Sequence, residues 1–220
     1  MLTRDSAAVP ERRFVGGKVR LETRAGGEGK PSKPRICGRA ILYNTWTTLY
    51  ESKTYSFRER ILPGAATNAL AEKQDVRCLF NHCASDILGR TVSGTLTLTQ
   101  DDDGVDIDCD PPDTQYHRDK MLAPIERGDV TGQSFAFLIR QGGQKYTVRE
   151  EGDRIIEERE ISDIDLYDVG PVTYPQYEET DVSIRSFAER RDKELRTRSG
   201  RQSLLMRFKQ RHVDSLFFPV

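Results

Sequence analysis

The chain has 220 residues, and its 34 lysines and arginines nearly balance its 35 aspartates and glutamates, for a formal net charge of -1. With 36 % hydrophobic and 31 % charged residues the sequence can bury a core, which argues against wholesale disorder. No apolar run reaches the roughly 18 residues that a membrane-spanning helix needs, and the first residues lack the apolar stretch of a signal peptide. We therefore expect a cytosolic protein without a membrane partner.

The charge is divided among three unlike parts of the chain. Residues 1–35 carry a net charge of +5, residues 36–184 one of -12, and residues 185–211 one of +7. The first part is rich in Gly and Pro and has no sustained apolar period, a composition typical of flexible segments. We predict three regions: a flexible basic leader over residues 1–35, a folded domain over residues 36–186, and a basic tail over residues 187–220.

The acidic part opens with β-prone segments. The segment ICGRAILY predicts a buried strand, and YSFRERI predicts a strand that ends at a Pro-Gly break. The segment AATNALAEKQD has helical spacing, and VRCLFNH predicts another buried strand that ends on His82.

The elements that follow are mostly hairpins. The alternating segments LTLTQ and VDIDC predict two antiparallel strands around a DDDG turn. Asp113 or Thr114 is a plausible N-cap for the next helix, which Pro124 kinks or restarts. Three further segments predict a strand, a charged hairpin and a final strand, in the order VTGQSFAFLIR, KYTVREEGDRIIEEREI and ISDIDLYDVGPVTYP.

About eight short strands and two helices without regular βαβ alternation predict a mainly β protein with some helix. The expected fold is therefore of the α+β class, an antiparallel sheet or barrel with helices packed outside it. The four cysteines, Cys37, Cys78, Cys83 and Cys109, are too sparse to cross-link a chain of this length, and we expect them to be thiols.

Two residues stand out as candidates for chemistry. His82 ends a buried strand just before a polar turn, which would present its side chain at the mouth of a sheet. Ser134 follows Gly132 and Gln133 and precedes an aromatic strand, so its hydroxyl could face a cleft. The plainer interpretation is that both are ordinary strand residues, because a serine becomes a nucleophile only beside a base and oxyanion donors.

Three aspartates lie in the last predicted strand. Asp163 and Asp165 share one face by two-residue alternation, and Asp168 falls on the other face or at a bulge. Any of them could orient a histidine by accepting a hydrogen bond from its ring. In the plainer interpretation they are solvated surface carboxylates.

Cys78, His82 and Cys83 form the only cluster that suggests a metal. Their spacing is not the paired CxxC of structural zinc, and alternate residues of a strand point to opposite faces, so a zinc site is disfavoured. Cys83 is also poorly placed as a nucleophile, since adjacent residues of an extended chain diverge. We expect no metal and no cofactor.

Several segments in order resemble the HK97-type prohead protease family of tailed bacteriophages, a serine peptidase family related in fold to herpesvirus assemblins. The resemblance covers residues 36–186. It rests on the ordered motifs ILPGA, LFNH with LGR close behind, GQSFAF and DVGPVTYPQY. It implies an assemblin-like β-barrel.

The resemblance also implies site residues. The family's catalytic histidine falls on His82 and its nucleophilic serine on Ser134. Family members often have a glutamate where this chain has Asp168. The resemblance therefore gives Asp168 as the third catalytic residue beside His82 and Ser134, with Asp165 as the substitute. In the related assemblins the third member is a second histidine, and no histidine lies at a matching place here.

The implied function is that of a serine endopeptidase of prohead maturation. Its substrates would be the scaffold segment of the major capsid protein precursor and the protease itself, inside the immature procapsid in the host cytoplasm. A homo-oligomer is compatible with this role, and the basic tail would be a segment removed by self-cleavage or a solvated extension. Nucleic-acid binding is not expected, because the tail lacks interleaved stacking aromatics. The alternative is a non-catalytic capsid-assembly or scaffold protein that keeps the protease fold.

Overall fold

The computed structural model describes residues 10–24, 32–174 and 182–197, together with residues 200, 202–203 and 205–206. Strands dominate these residues and helices are few, so the protein is mainly β, as the sequence pattern predicts. No helix among them is long and apolar enough to cross a membrane.

Thirteen strands lie in the described part of the chain. In chain order they are β1 (Glu11–Lys18), β2 (Arg20–Arg24), β3 (Lys33–Leu42), β4 (Thr47–Glu51), β5 (Tyr55–Ile61), β6 (Arg77–Leu79), β7 (Ile87–Arg90), β8 (Leu96–Gln100), β9 (Gly104–Cys109), β10 (Gly132–Ile139), β11 (Gln144–Glu151), β12 (Arg154–Ile161) and β13 (Ile164–Val172). The α-helices are α1 (Thr67–Ala71), α2 (Gln115–His117), α3 (Ala123–Arg127) and α4 (Val182–Leu195). A 3-10 turn over Phe80–His82 follows β6, and a π-helical turn over Arg118–Leu122 joins α2 to α3.

The described residues divide into two compact units. The first draws on Met1–Asn44, Ile61–Gly143 and Ser162–Tyr177, and the second on Thr45–Arg60, Gln144–Ile161 and Glu178–Val220. The first unit holds two sheets, with strand orders β1-β10-β13-β6-β7 and β2-β3-β9-β8. The second unit holds one sheet of order β11-β12-β5-β4 and helix α4.

Strand β10 lies inside the five-stranded sheet and is buried over its first six residues. Phe135 and Phe137 stack on one face with ring centroids 5.1 Å apart, and Ser134 lies on the other face because side chains alternate along a strand. Burying such rings is the main source of stability in a core of this kind. In the sheet, β10 therefore lies between β1 and β13.

Several predicted elements are confirmed. The strands around the DDDG turn pair antiparallel as β8 and β9, and the charged hairpin is β11 paired with β12. Thr114 caps α2 by accepting a hydrogen bond from the backbone N–H of His117. Pro124 lies in the first turn of α3, where its missing N–H is tolerated, so the helix restarts there.

The predicted assemblin-like barrel is not confirmed. The described residues form three sheets, and none of the three closes on itself. The pairing is also not wholly antiparallel, because β13 runs parallel to β6.

The prediction of a flexible leader is wrong for residues 11–18 and 20–24, which form β1 and β2. Their hydrogen-bonding partners are β10 and β3, so their order comes from tertiary pairing that local composition does not reveal. Helix α4 likewise spans the predicted start of the tail at residue 187. The domain boundaries themselves stay a prediction.

A buried carboxylate fixes α4 within the second unit. Asp192 accepts hydrogen bonds from the hydroxyls of Ser52 at 2.8 Å, Thr54 at 2.6 Å and Tyr50 at 3.1 Å. Arg196 donates to it from the next turn at 2.8 Å. Burial alone would raise the pKa of Asp192, but these donors outweigh it and hold the pKa below its ordinary value.

We expect Asp192→Asn to lower the free energy of unfolding by about 2 kcal/mol at pH 7, because it loses charge-assisted hydrogen bonds. The folded-state pKa lies below the unfolded value of about 3.9, so the carboxylate's contribution is complete above that pH and disappears as the pH falls through the folded pKa. Urea denaturation at pH 7 and pH 3 measures the effect, and the deficit should shrink at pH 3. The exposed Asp102→Asn is the control and should change little at either pH. An equal deficit for Asp192→Asn at both values would contradict this account.

Candidate active site

Ser134 lies in the middle of β10, with 6 % of its surface exposed. Its Oγ is 2.7 Å from Nε2 of His82. Phe14 of β1 and Gly170 of β13 are its register partners on either side. The hydroxyl is therefore held on the face of a central strand, in hydrogen-bond contact with an imidazole.

His82 reaches this position through an unusual turn. Asn81 and His82 both adopt left-handed backbone, with φ of 53° and 54°, a conformation that costs about 1 kcal/mol for each residue with a side chain. The amide of Asn81 offsets part of this cost: its Oδ1 accepts from the N–H of Thr173 at 2.8 Å, and its Nδ2 donates to the Thr173 hydroxyl at 3.1 Å. The end of β13 thus holds the turn that presents the imidazole.

Asp168 of β13 contacts the other ring nitrogen of His82, Nδ1. The side chains of Asp168 and His82 are only 13 % and 10 % exposed. An ionised carboxylate can only accept a hydrogen bond, so Nδ1 carries a proton and the imidazole is oriented by Asp168. In the neutral ring Nε2 then has a free lone pair that faces Ser134, the arrangement required of a general base.

The structure separates the two candidates for the third member. Asp165 lies against Arg140, whose Nη2 is 2.7 Å from its Oδ1, and it also accepts from Gln74. Asp163 accepts from Asn68 at 2.9 Å. Of the three aspartates in β13 and the turn before it, Asp168 is therefore the one that the structure brings to His82.

A second contact of Ser134 was not predicted from the sequence. The hydroxyl donates to the backbone carbonyl of Arg13 in β1 at 2.9 Å, a buried hydrogen bond. It escaped prediction because β1 lies in the segment interpreted as a flexible leader. The local signal was the short β-prone run around Phe14, which is too brief to predict a strand on its own.

The cysteines and the remaining histidines lie apart from this arrangement. A hydrogen bond with Cys109, burial and the nearby charge of Asp168 raise the pKa of Cys78, so its thiol stays protonated. The Sγ of Cys83 is 3.0 Å from the hydroxyl of Ser85. His117 is the last residue of α2, with Nδ1 2.7 Å from the Thr114 hydroxyl, and His212 lies outside the described residues.

The zinc alternative is not supported. Both ring nitrogens of His82 are engaged by Asp168 and Ser134, which leaves no nitrogen for a metal. Across residues 10–24, 32–174 and the described part of the C-terminal segment, no group of three His, Cys, Asp or Glu side chains is arranged to hold a metal ion.

One comparison with known proteins gives a match. A family model described as caudovirus prohead serine protease matches residues 20–194. The match includes His82, Ser134 and Asp168, and it begins after the end of β1. No curated protein matches the chain, and no solved structure matches it either.

Close approach of β13 to β6 requires Gly170. A Cβ at this position would lie 2.1 Å from the carbonyl oxygen of Leu79, well inside van der Waals contact. Since Leu79 ends β6 and leads into the turn of His82, any side chain at residue 170 must push the histidine segment away from β13.

We expect Gly170→Ala to lower the free energy of unfolding by about 3 kcal/mol through this overlap. Gly142→Ala is the matched control, because Gly142 has a φ of 75° but no heavy atom within 4 Å of the added Cβ. The control should cost only about 1 kcal/mol, from its left-handed backbone. Urea denaturation of both variants measures the difference, and equal losses would show that the approach to Leu79 is not a constraint.

Proposed function

Because the chain belongs to the caudovirus prohead serine protease family, we propose that it is an active serine endopeptidase of prohead maturation. The observation that carries the proposal is the hydrogen-bonded series from Asp168 through His82 to Ser134. A serine, an imidazole and a carboxylate in this order are the groups that acyl transfer needs.

The mechanism follows from the atoms in contact. Nε2 of His82 accepts the Ser134 proton as Oγ attacks a peptide carbonyl, and the imidazolium then returns that proton to the leaving amine. Asp168 keeps Nδ1 protonated and stabilises the imidazolium through its negative charge. Water, activated by the same nitrogen, then hydrolyses the acyl-enzyme and frees Ser134 for the next turnover.

The proposed substrate is the scaffold segment of the major capsid protein precursor, cut inside the immature procapsid. The protease itself is the second proposed substrate, with the basic tail as a segment removed by self-cleavage. The family's prohead role supports both assignments. The alternative of a non-catalytic scaffold protein does not explain the contacts among Ser134, His82 and Asp168, because such a protein would be free to lose any of them.

We expect Ser134→Ala to abolish processing of the capsid precursor and of the enzyme, with a loss of at least about 10⁴-fold in cleavage rate. The measurement is intact-mass analysis after co-expression with the capsid precursor. The exposed Ser93→Ala is the matched control and should process normally. Unchanged cleavage products with Ser134→Ala would refute the nucleophile assignment and favour the scaffold alternative.

A pair of aspartate variants tests the third member. We expect Asp168→Asn to lower the cleavage rate by roughly 10³-fold or more, because an amide neither favours the required tautomer nor stabilises the imidazolium. Asp165→Asn, three residues away, should keep the rate within about twofold, since Asp165 contacts Arg140 and Gln74 rather than His82. A larger loss of cleavage rate with Asp165→Asn than with Asp168→Asn would show that Asp165, and not Asp168, orients His82.

A further inference from the structure

Strand β1 covers the free edge of the strand that carries Ser134. It pairs antiparallel with β10 from Glu11 opposite Phe137 to Val15 opposite Gln133. β1 is an edge strand, paired on one side only within its sheet, and a bulge between Val15 and Lys18 interrupts its register. It also precedes the residues that the family model matches, 20–194.

The contact between β1 and Ser134 competes with catalysis. A serine hydroxyl has one hydrogen, and two acceptors lie within hydrogen-bond distance of Oγ: Nε2 of His82 at 2.7 Å and the carbonyl oxygen of Arg13 at 2.9 Å. Whenever the hydroxyl donates to Arg13, its proton cannot be donated to Nε2 of His82. The general-base step requires that donation, so β1 must release the hydroxyl before the serine can attack.

The orientation of β1 is also unproductive. A peptide is cleaved when its carbonyl carbon meets the nucleophile and its oxygen faces the oxyanion donors. In β1 the oxygen of Arg13 itself accepts from Oγ. The strand therefore lies beside the nucleophile as an extended peptide would, without presenting a bond to cut.

Phe14 occupies a seat next to the nucleophile. It lies opposite Ser134, and side chains of directly opposed residues share one face of a sheet. Gly132 makes room for its ring, since a Cβ there would lie 3.0 Å from Cε2 of Phe14 and 3.3 Å from Cγ2 of Val172. The half-buried ring thus fills an apolar seat formed by Gly132 and Val172.

We propose that the edge of β10 covered by β1 is the binding site for the extended peptide substrate, and that β1 occupies it as a displaceable ligand of the same chain. The preferred substrate carries a large apolar side chain for the seat on Gly132 and Val172. Substrate pairs with β10 by main-chain hydrogen bonds after β1 leaves, the mode by which peptides add to exposed sheet edges. The inference rests on the proposed function, because it names the substrate site of that enzyme.

The test is the rate at which a fluorophosphonate probe labels Ser134 in the full-length protein, with fluoride as the leaving group. We expect Phe14→Ala to raise that rate about tenfold, the factor for losing roughly half of the free energy of burying a phenylalanine ring. Arg12→Ala is the matched control in the same strand, since its side chain is exposed, and should stay within about twofold.

A synthetic peptide of residues 10–19 supplies the second measurement. It should inhibit Phe14→Ala, and the same peptide with alanine at position 14 should inhibit at least about tenfold less well. Gly132→Ala fills the seat from the other side, so it should speed labelling while weakening inhibition by the peptide. If Phe14→Ala does not fold, the labelling rate of Gly132→Ala still tests the proposal.

The outcomes separate the two proposals. Equal labelling of Ser134 in the wild type, Phe14→Ala and Gly132→Ala would overturn the inference and make β1 a permanent strand of the sheet. If Ser134 is labelled in none of the folded proteins, the proposed function fails instead.

Discussion

The parallel pairing of β6 with β13 is the constraint on which the candidate site depends. It consists of two register pairs, Asp168 with Arg77 and Val169 with Cys78. Because the chain turns immediately after β6, these pairs bring His82 against Asp168, while β10 on the other side of β13 brings Ser134. A short ladder, β6 with β13, and a longer one, β10 with β13, therefore assemble groups that lie 86 and 52 residues apart in sequence. Ser134 and Asp168 lie on adjacent strands, which hold side chains more rigidly than loops do.

Local patterns predicted those elements whose partners lie nearby in sequence. The hairpin of β8 and β9 and the restart of the helix at Pro124 follow from alternation and turn chemistry. The family resemblance predicted His82 and Ser134 as site residues, and it gave Asp168 as the third with Asp165 as a substitute. The reason is physical, because a register shift in β13 between Asp168 and Leu166 interrupts two-residue alternation. Only the pairing with β6 decides which carboxylate meets the imidazole.

The elements that escaped prediction are those held by distant partners. Strand β1 is Gly-rich and basic, and it is ordered by β10, more than a hundred residues later in the chain. Helix α4 is attached through Asp192 to hydroxyls of a hairpin about 140 residues earlier. Charge and glycine content describe how a segment behaves alone, whereas a sheet edge or a set of donors elsewhere in the fold decides whether it becomes ordered.

The hydrogen bond from Ser134 to residue 13 uses a main-chain carbonyl, so it does not depend on which amino acid stands at position 13. Substitutions there can accumulate without removing the contact, and an alignment of sequences would show no preferred residue to mark it. An insertion or deletion of a single residue between Phe14 and Val15 would instead shift the pairs of Glu11 to Phe14 and carry the carbonyl away from the hydroxyl. What evolution must preserve for this contact is the length and register of the strand, whichever residue stands at position 13.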